Sequence, residues 1–328
     1  TENGGVIGER FVIAQDGSLS TPTLGTQNLR LGANAGNSIA SGGNYNTLIG
    51  DGAGTDFTTG CVQNVALGVD ALANDVKGCS SVAIGSYALN AQSFSSTTNA
   101  FNTAVGDLAG LKVTTGIRNT LLGAAAGDAI EDADENEAVG YAALSANVLG
   151  SGSVAVGSFA LNLQNPASAV TMYNVAVGNG AGAAVTTGTQ NTLIGGLAGD
   201  ALNVGEKNVA LGYAALSTDT KGNKSTALGY AALNAQNFTS PTSTFNTAVG
   251  FEAGGGVTTG INNTLIGASA GDAVTTGSSN SFMGTNAGGG VVGGSATQGN
   301  HNIAVGLNAF IETVVLTTGS HNIGIGNF

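Results

Sequence analysis

The phrase Asn-x-x-x-Gly-x-x-Ala recurs along this chain at a nearly constant interval, stretched in only a few places. Its central glycines are Gly32, Gly50, Gly68, Gly85, Gly106, Gly123, Gly140, Gly157, Gly178, Gly195, Gly212, Gly229, Gly250, Gly267, Gly284, Gly306 and Gly326. A repeat this short cannot bury its own apolar residues, and only stacking on its neighbours makes a core. The expected fold is therefore all-β, a parallel β-solenoid (β-roll) of about 17 coils, one for each glycine.

Each coil follows one grammar. Four residues before the Gly stands Asn in 14 coils and Ser in three (Ser81, Ser153, Ser225), and three residues after it stands Ala wherever the coil extends that far. The residues between Asn and Gly alternate and are partly β-branched, which suits a short strand. A second glycine often follows ten residues later, as at Gly60, Gly78, Gly116, Gly150, Gly188, Gly205, Gly222, Gly260 and Gly277. Two glycines per coil predict two chain reversals with positive φ. Coils stacked about 4.8 Å apart place identical residues above one another. Asn46, Asn64, Asn102, Asn119, Asn174, Asn191, Asn208, Asn246 and Asn263 should then form a structural amide ladder.

A slower period runs beneath the first. Every fourth step is longer than the three that follow it: Gly85 to Gly106, Gly157 to Gly178 and Gly229 to Gly250. Gly85, Gly157 and Gly229 therefore open successive four-coil blocks of equal length. The extra residues fall in Asn90 to Phe101, Asn162 to Tyr173 and Asn234 to Phe245. These inserts should bulge outward, which makes Phe94, Pro166, Met172, Phe238 and Pro241 the candidate receptor contacts. Residues 1–27 stand outside the repeat. Phe11 to Ser20, with Asp16-Gly17 as its tight turn, reads as a hairpin that caps the first coil. Residues 28–287 form the regular solenoid and 288–328 a looser set of coils. The run stops inside a coil at Phe328, an open end expected to be continued by further chain or covered by another subunit.

Strand alternation puts the residues one and three before the Gly on one face and the residue two before it on the other. Both faces are apolar, so both should be covered. The first is expected to line the coil. The second, at Ala66, Ala83, Ala104, Leu121, Ala155, Ala176, Leu193, Ala210, Ala248 and Leu265, is expected to meet two other copies along a homotrimer axis.

Composition narrows the function. Eight Lys+Arg against 20 Asp+Glu give a net charge of −12, which excludes a basic nucleic-acid groove. No apolar run approaches the length of a membrane-spanning helix, so no membrane insertion is expected. No catalytic constellation, cofactor motif or metal-ligand spacing stands out, so the chain does not read as an enzyme. His301 and His321 each precede a ladder position and should stack as exposed turn residues, with a metal site the less favoured reading. The acids between Asp128 and Glu137 supply calcium-type oxygens without the glycine spacing of calcium β-rolls. Cys61 and Cys79 fall at nearly the same position of neighbouring coils, which allows either a disulfide or two buried thiols.

Ser81-Val82-Ala83-Ile84-Gly85, Asn174-Val175-Ala176-Val177-Gly178 and Asn302-Ile303-Ala304-Val305-Gly306 resemble the YadA-type head repeat of trimeric autotransporter adhesins. The Asn-Thr-x-x-Gly-x-x-Ala-Gly form, with Thr-Thr-Gly at 114–116, 186–188 and 258–260, is similar to repeats of bacteriophage tail and surface fibres. The resemblance covers residues 28 to 328 and implies left-handed coils, a trimer and an extracellular place on a virion or cell surface. It further implies a host glycan or protein as partner. The expected function is a structural fibre, foremost a phage tail or surface fibre. A bacterial adhesin head or an end-to-end filament is the alternative, and ice binding a remote one, since the threonines do not form a continuous flat array.

Overall fold

A computed structural model describes the backbone of residues 12–13 and 19–20 and all of residues 27–289, 299–310 and 320–327. It is all-β, a parallel β-solenoid of about 16 turns, without a helix among the described residues. The chain divides into two compact units, Thr1–Val139 and Gly140–Phe328. In each, three-residue strands stack in parallel and in register. In the first unit Val82–Ile84 pairs with Thr103–Val105, and in the second Thr192–Ile194 pairs with Val209–Leu211. The strands Ile303–Val305 and Ile323–Ile325 continue the same pairing in the looser C-terminal part. Near the N-terminus, Val12–Ile13 pairs antiparallel with Leu19–Ser20. The Asp16-Gly17 turn and residues 290–298 of the Gly-rich stretch lie outside the described residues.

The central glycines all have φ between +128° and +144°, a region closed to residues with a Cβ. Most, Gly195, Gly212 and Gly250 among them, also lie against the carbonyl of the glycine one coil on. A Cβ built on Gly195 would stand 2.5 Å from the Gly212 oxygen. Gly60, at φ +91°, has the expected positive φ, but most second glycines of the coil have a different cause. Gly116, Gly150, Gly188, Gly205 and Gly222 do not have positive φ. They are glycine because of close approach: a Cβ on Gly205 would meet the Gly222 carbonyl oxygen at 2.6 Å.

The corners that glycine does not make are made by other residues in the left-handed region. In the coil of Gly195 these are Gln190 and Leu197, and in the coil of Gly212 they are Lys207, Ala214 and Leu216. Such a conformation costs roughly 1 kcal/mol per residue. It persists because it aims the backbone N–H along the stack. Gln190 N donates to Met172 O at 2.8 Å, and Leu197 N donates to Asn179 O at 3.0 Å.

The two strand faces are the reverse of the sequence expectation. Ala66, Ala83, Ala104, Leu121, Ala155, Ala176, Leu193, Ala210, Ala248 and Leu265 are all fully buried inside their own coils, so they form the core and no intersubunit surface. The outward column is the aliphatic just before the central Gly, including Leu67, Val177, Leu211, Leu228, Met283 and Val305. The reason is volume. The core position two before the Gly faces the residue four after it, and the two trade size. Leu121 and Leu193 stand in coils with Gly127 and Gly199, whereas Ala66 and Ala210 stand with the buried Leu72 and Leu216. Where both are small, as at Ala176 with Gly182, Leu193 from one neighbouring coil and Leu161 from the other approach the vacant Cβ position. Leu193→Ala is expected to cost about 2–3 kcal/mol, read as a lowered thermal midpoint, because no neighbour can refill that volume.

The asparagine column closes both directions of the coil. Asn208 N donates to Asn191 Oδ1 (3.0 Å), while Asn191 Nδ2 donates across the coil to Gly205 O (2.9 Å). The pattern recurs for Asn64 on Asn46 and Asn263 on Asn246, and for Asn119 on Asn102 in the first unit. Each amide thus satisfies a backbone donor and a return-turn carbonyl that would otherwise be buried unpaired.

Candidate functional site

The long coils hold the features that break the scaffold pattern. The insert 90–101 does not hang free: its Thr98–Asn99 pairs in parallel with Gly78–Cys79 of the preceding coil. Val170–Thr171 pairs likewise with Gly150–Ser151, and Thr242–Ser243 with Gly222–Asn223. The extra residues are absorbed as a second short strand, and several of their apolar side chains turn inward, although Leu163 and Val170 stay exposed. Phe94, Pro166, Met172 and Phe238 are buried, and of the five expected receptor contacts only Pro241 is exposed. Their sizes are complementary from block to block. Phe94 and Phe238 go with the small Ala100 and Thr244, whereas Pro166, at the corresponding position, goes with the large Met172.

Each insert ends on an aromatic residue that faces solvent. Phe101, Tyr173 and Phe245 have φ of 52°, 52° and 51° and are 55%, 62% and 54% exposed. The Lys224 ammonium lies 5.0 Å from the centroid of the Phe245 ring. The insert tips Ser95–Ser96–Thr97, residues 167–171 and Thr239–Ser240–Pro241 are exposed beside them. Just after the central glycine, Tyr213, Tyr230 and Phe251 form an exposed stack, with centroids 5.7 and 5.1 Å apart.

Beneath each insert lies a buried polar network that sequence reading missed. Seven residues after the central Gly the core is apolar in most coils (Val113, Ile130, Val185, Leu202), but under the inserts it is polar. Gln92 Nε2 donates to Asp75 Oδ2 (2.6 Å) and to Ser81 Oγ (3.2 Å), and Gln92 Oε1 accepts from Asn102 Nδ2 (2.8 Å). Gln236 joins Asp219, Ser225 and Asn246 in the same way. In the middle block Gln164 bonds Ser153 and Asn174, and Asn147 replaces the aspartate. The ladder serines explain themselves here. Ser is short enough to admit a glutamine, whose amide then replaces the missing asparagine amide. The available signal was a ladder Ser followed eleven residues later by Gln, three times over.

The remaining candidates resolve into scaffold. Cys61 and Cys79 are buried free thiols with no disulfide between them. Cys61 Sγ donates to Val76 O and Cys79 Sγ to Gly60 O, and burial pushes the Cys61 thiol up to about 12. The acidic run stitches adjacent coils. Asp132 accepts from the hydroxyls of Thr115 (2.6 Å) and Thr114 (2.9 Å), which hold it below the usual carboxylate range, and Asp134 accepts from Ile117 N. Glu135 pairs with Arg118 at 2.8 Å on the exposed surface. His301 and His321 stack with centroids 4.9 Å apart and rings nearly parallel, and both are exposed. Among the described residues no three His, Cys, Asp or Glu side chains are grouped to hold a metal ion, and no helix is long and apolar enough to cross a membrane.

Comparison with protein-family models and with curated proteins finds no match to this chain.

Proposed function

We propose that this chain is the structural shaft of an extracellular fibre or adhesin, foremost a phage tail or surface fibre. In this reading three copies with left-handed coils associate, and the inserts contact a cell-surface glycan or protein. The observation that carries the reading is the outward aliphatic column. A row such as Val209, Leu211 and Leu228, with Tyr213 and Tyr230 beside it, leaves one sheet face apolar and more than a third exposed in the single chain. A monomer in water gains nothing from such a face, whereas a symmetric assembly buries it. The sequence resemblance to adhesin heads and phage fibres adds the trimer and the handedness. The acidic balance supports solubility of the assembled object.

The contact surface is the exposed insert end, with Phe101, Tyr173 and Phe245 as aromatic anchors. Labelled protein should bind the surface of its host cells. The triple change Phe101→Ala, Tyr173→Ala and Phe245→Ala should weaken binding at least about tenfold while leaving the thermal midpoint within about 2 °C. Undiminished binding by that variant would remove the inserts from the recognition role. The double change Leu211→Asp and Leu228→Asp should break the assembly into single chains in a sedimentation run, since the outward position tolerates charge only in water. An unchanged sedimentation coefficient would show that this column is not the interface.

A further inference from the structure

We propose that insert 90–101 is a proton-linked module: the carboxyl group of Asp75, sealed beneath it, makes the insert hold more tightly as pH falls, while insert 162–173, built on Asn147, does not respond. The geometry carries the comparison, because the two modules occupy equivalent places in successive blocks and differ at their base by a carboxyl against an amide. Asp75 has no exposed surface. Its Oδ1 accepts from Gly78 N (2.8 Å) and its Oδ2 from Gln92 Nε2 (2.6 Å). Through Gln92 the carboxyl reaches Asn102, so the network spans both ends of the insert.

Among the described residues no cation pairs with this group. The ion pairs there are Arg118 with Glu135 and Lys207 with Glu206. The titratable groups near Asp75 are the thiols of Cys61 and Cys79. Lys77, two residues on, turns its ammonium outward to Ser95 O at 3.2 Å. The insert itself contains no ionisable side chain. Asn147 makes the corresponding turn bonds, to Gly150 N (3.0 Å) and Gly150 O (2.7 Å), without any charge.

Burial pushes Asp75 up to about 6, from 3.8 when exposed. A carboxyl raised on folding binds its proton more strongly in the closed state. Its contribution is complete below about 4 and is lost as pH rises through about 6. Opening of the insert should therefore increase with pH across that window.

Hydrogen exchange of the intact chain at pH 4.5 and 7.0, corrected for intrinsic rates, tests this directly. The probes are the amides of Thr98 and Ala100, bonded to Lys77 O and Cys79 O, against Met172, bonded to Ser151 O. Opening at Thr98 and Ala100 should rise on the order of tenfold between the two pH values and stay constant at Met172. Asp75→Asn should flatten the first profile. Equal profiles in the two inserts, or a dependence that survives Asp75→Asn, would overturn the proposal. Should the variant fail to fold, the comparison of the two inserts within the natural chain decides alone.

Discussion

Gly195→Ala should lower stability by at least about 3 kcal/mol, and Gly196→Ala, one residue on, by less than about 1. The first position needs a φ of +128°, and its Cβ would stand 2.5 Å from one backbone atom of the next coil and 2.6 Å from another. Backbone in a stacked ladder cannot retreat from that contact without breaking the strand pairing of Thr192–Ile194 with Val209–Leu211. At Gly196 φ is ordinary and the nearest atom is a Tyr213 ring carbon at 3.5 Å, a normal contact. For a unit of this size the first change should lower the thermal midpoint by about 10 °C and the second by a degree or two. Similar midpoints for the two variants would mean that the coil corners are set by something other than the glycine column.

The second large effect belongs to the ladder. Asn191→Ala should cost about 3 kcal/mol, because Asn208 N and Gly205 O are left without these partners in the interior. Serine at this position should do no better than alanine, although Ser81, Ser153 and Ser225 occupy it elsewhere. Those serines work only with a glutamine eleven residues on, and here that position holds Leu202. The double change Asn191→Ser with Leu202→Gln should recover part of the loss, since Gln164 already shows the geometry in a coil of the same unit. Thermal unfolding of the four proteins gives the coupling. A double variant no more stable than the sum of its single changes would separate the serines from the glutamines.

The periodic features were legible because a stack amplifies them. A residue demanded by one coil contact is demanded in every coil, so the glycines, the asparagines and the inner alanines repeat. The inside and outside of the strand were not legible from alternation. Both columns are apolar, and alternation separates two faces without saying which is enclosed. The size exchange between Leu193 and Gly199, or Ala210 and Leu216, distinguishes them, but it relates positions six residues apart across a corner. The inserts were placed correctly along the chain and misread in direction. An apolar residue in an insertion suggests an exposed bulge, yet pairing of residues such as Thr98–Asn99 with the preceding coil closes the loop and draws Phe94 inward. The polar networks escaped notice because a buried Asp, Gln or Ser looks like a surface residue until its partners are in place.

We propose that three chains join along the outward aliphatic column and present their inserts to a partner. Sedimentation equilibrium of the natural chain at neutral pH tests it most directly. A folded species of three times the 31.7 kDa chain mass is expected, reduced to single chains by Leu211→Asp with Leu228→Asp. A stable, folded species at 31.7 kDa in the natural protein would contradict it.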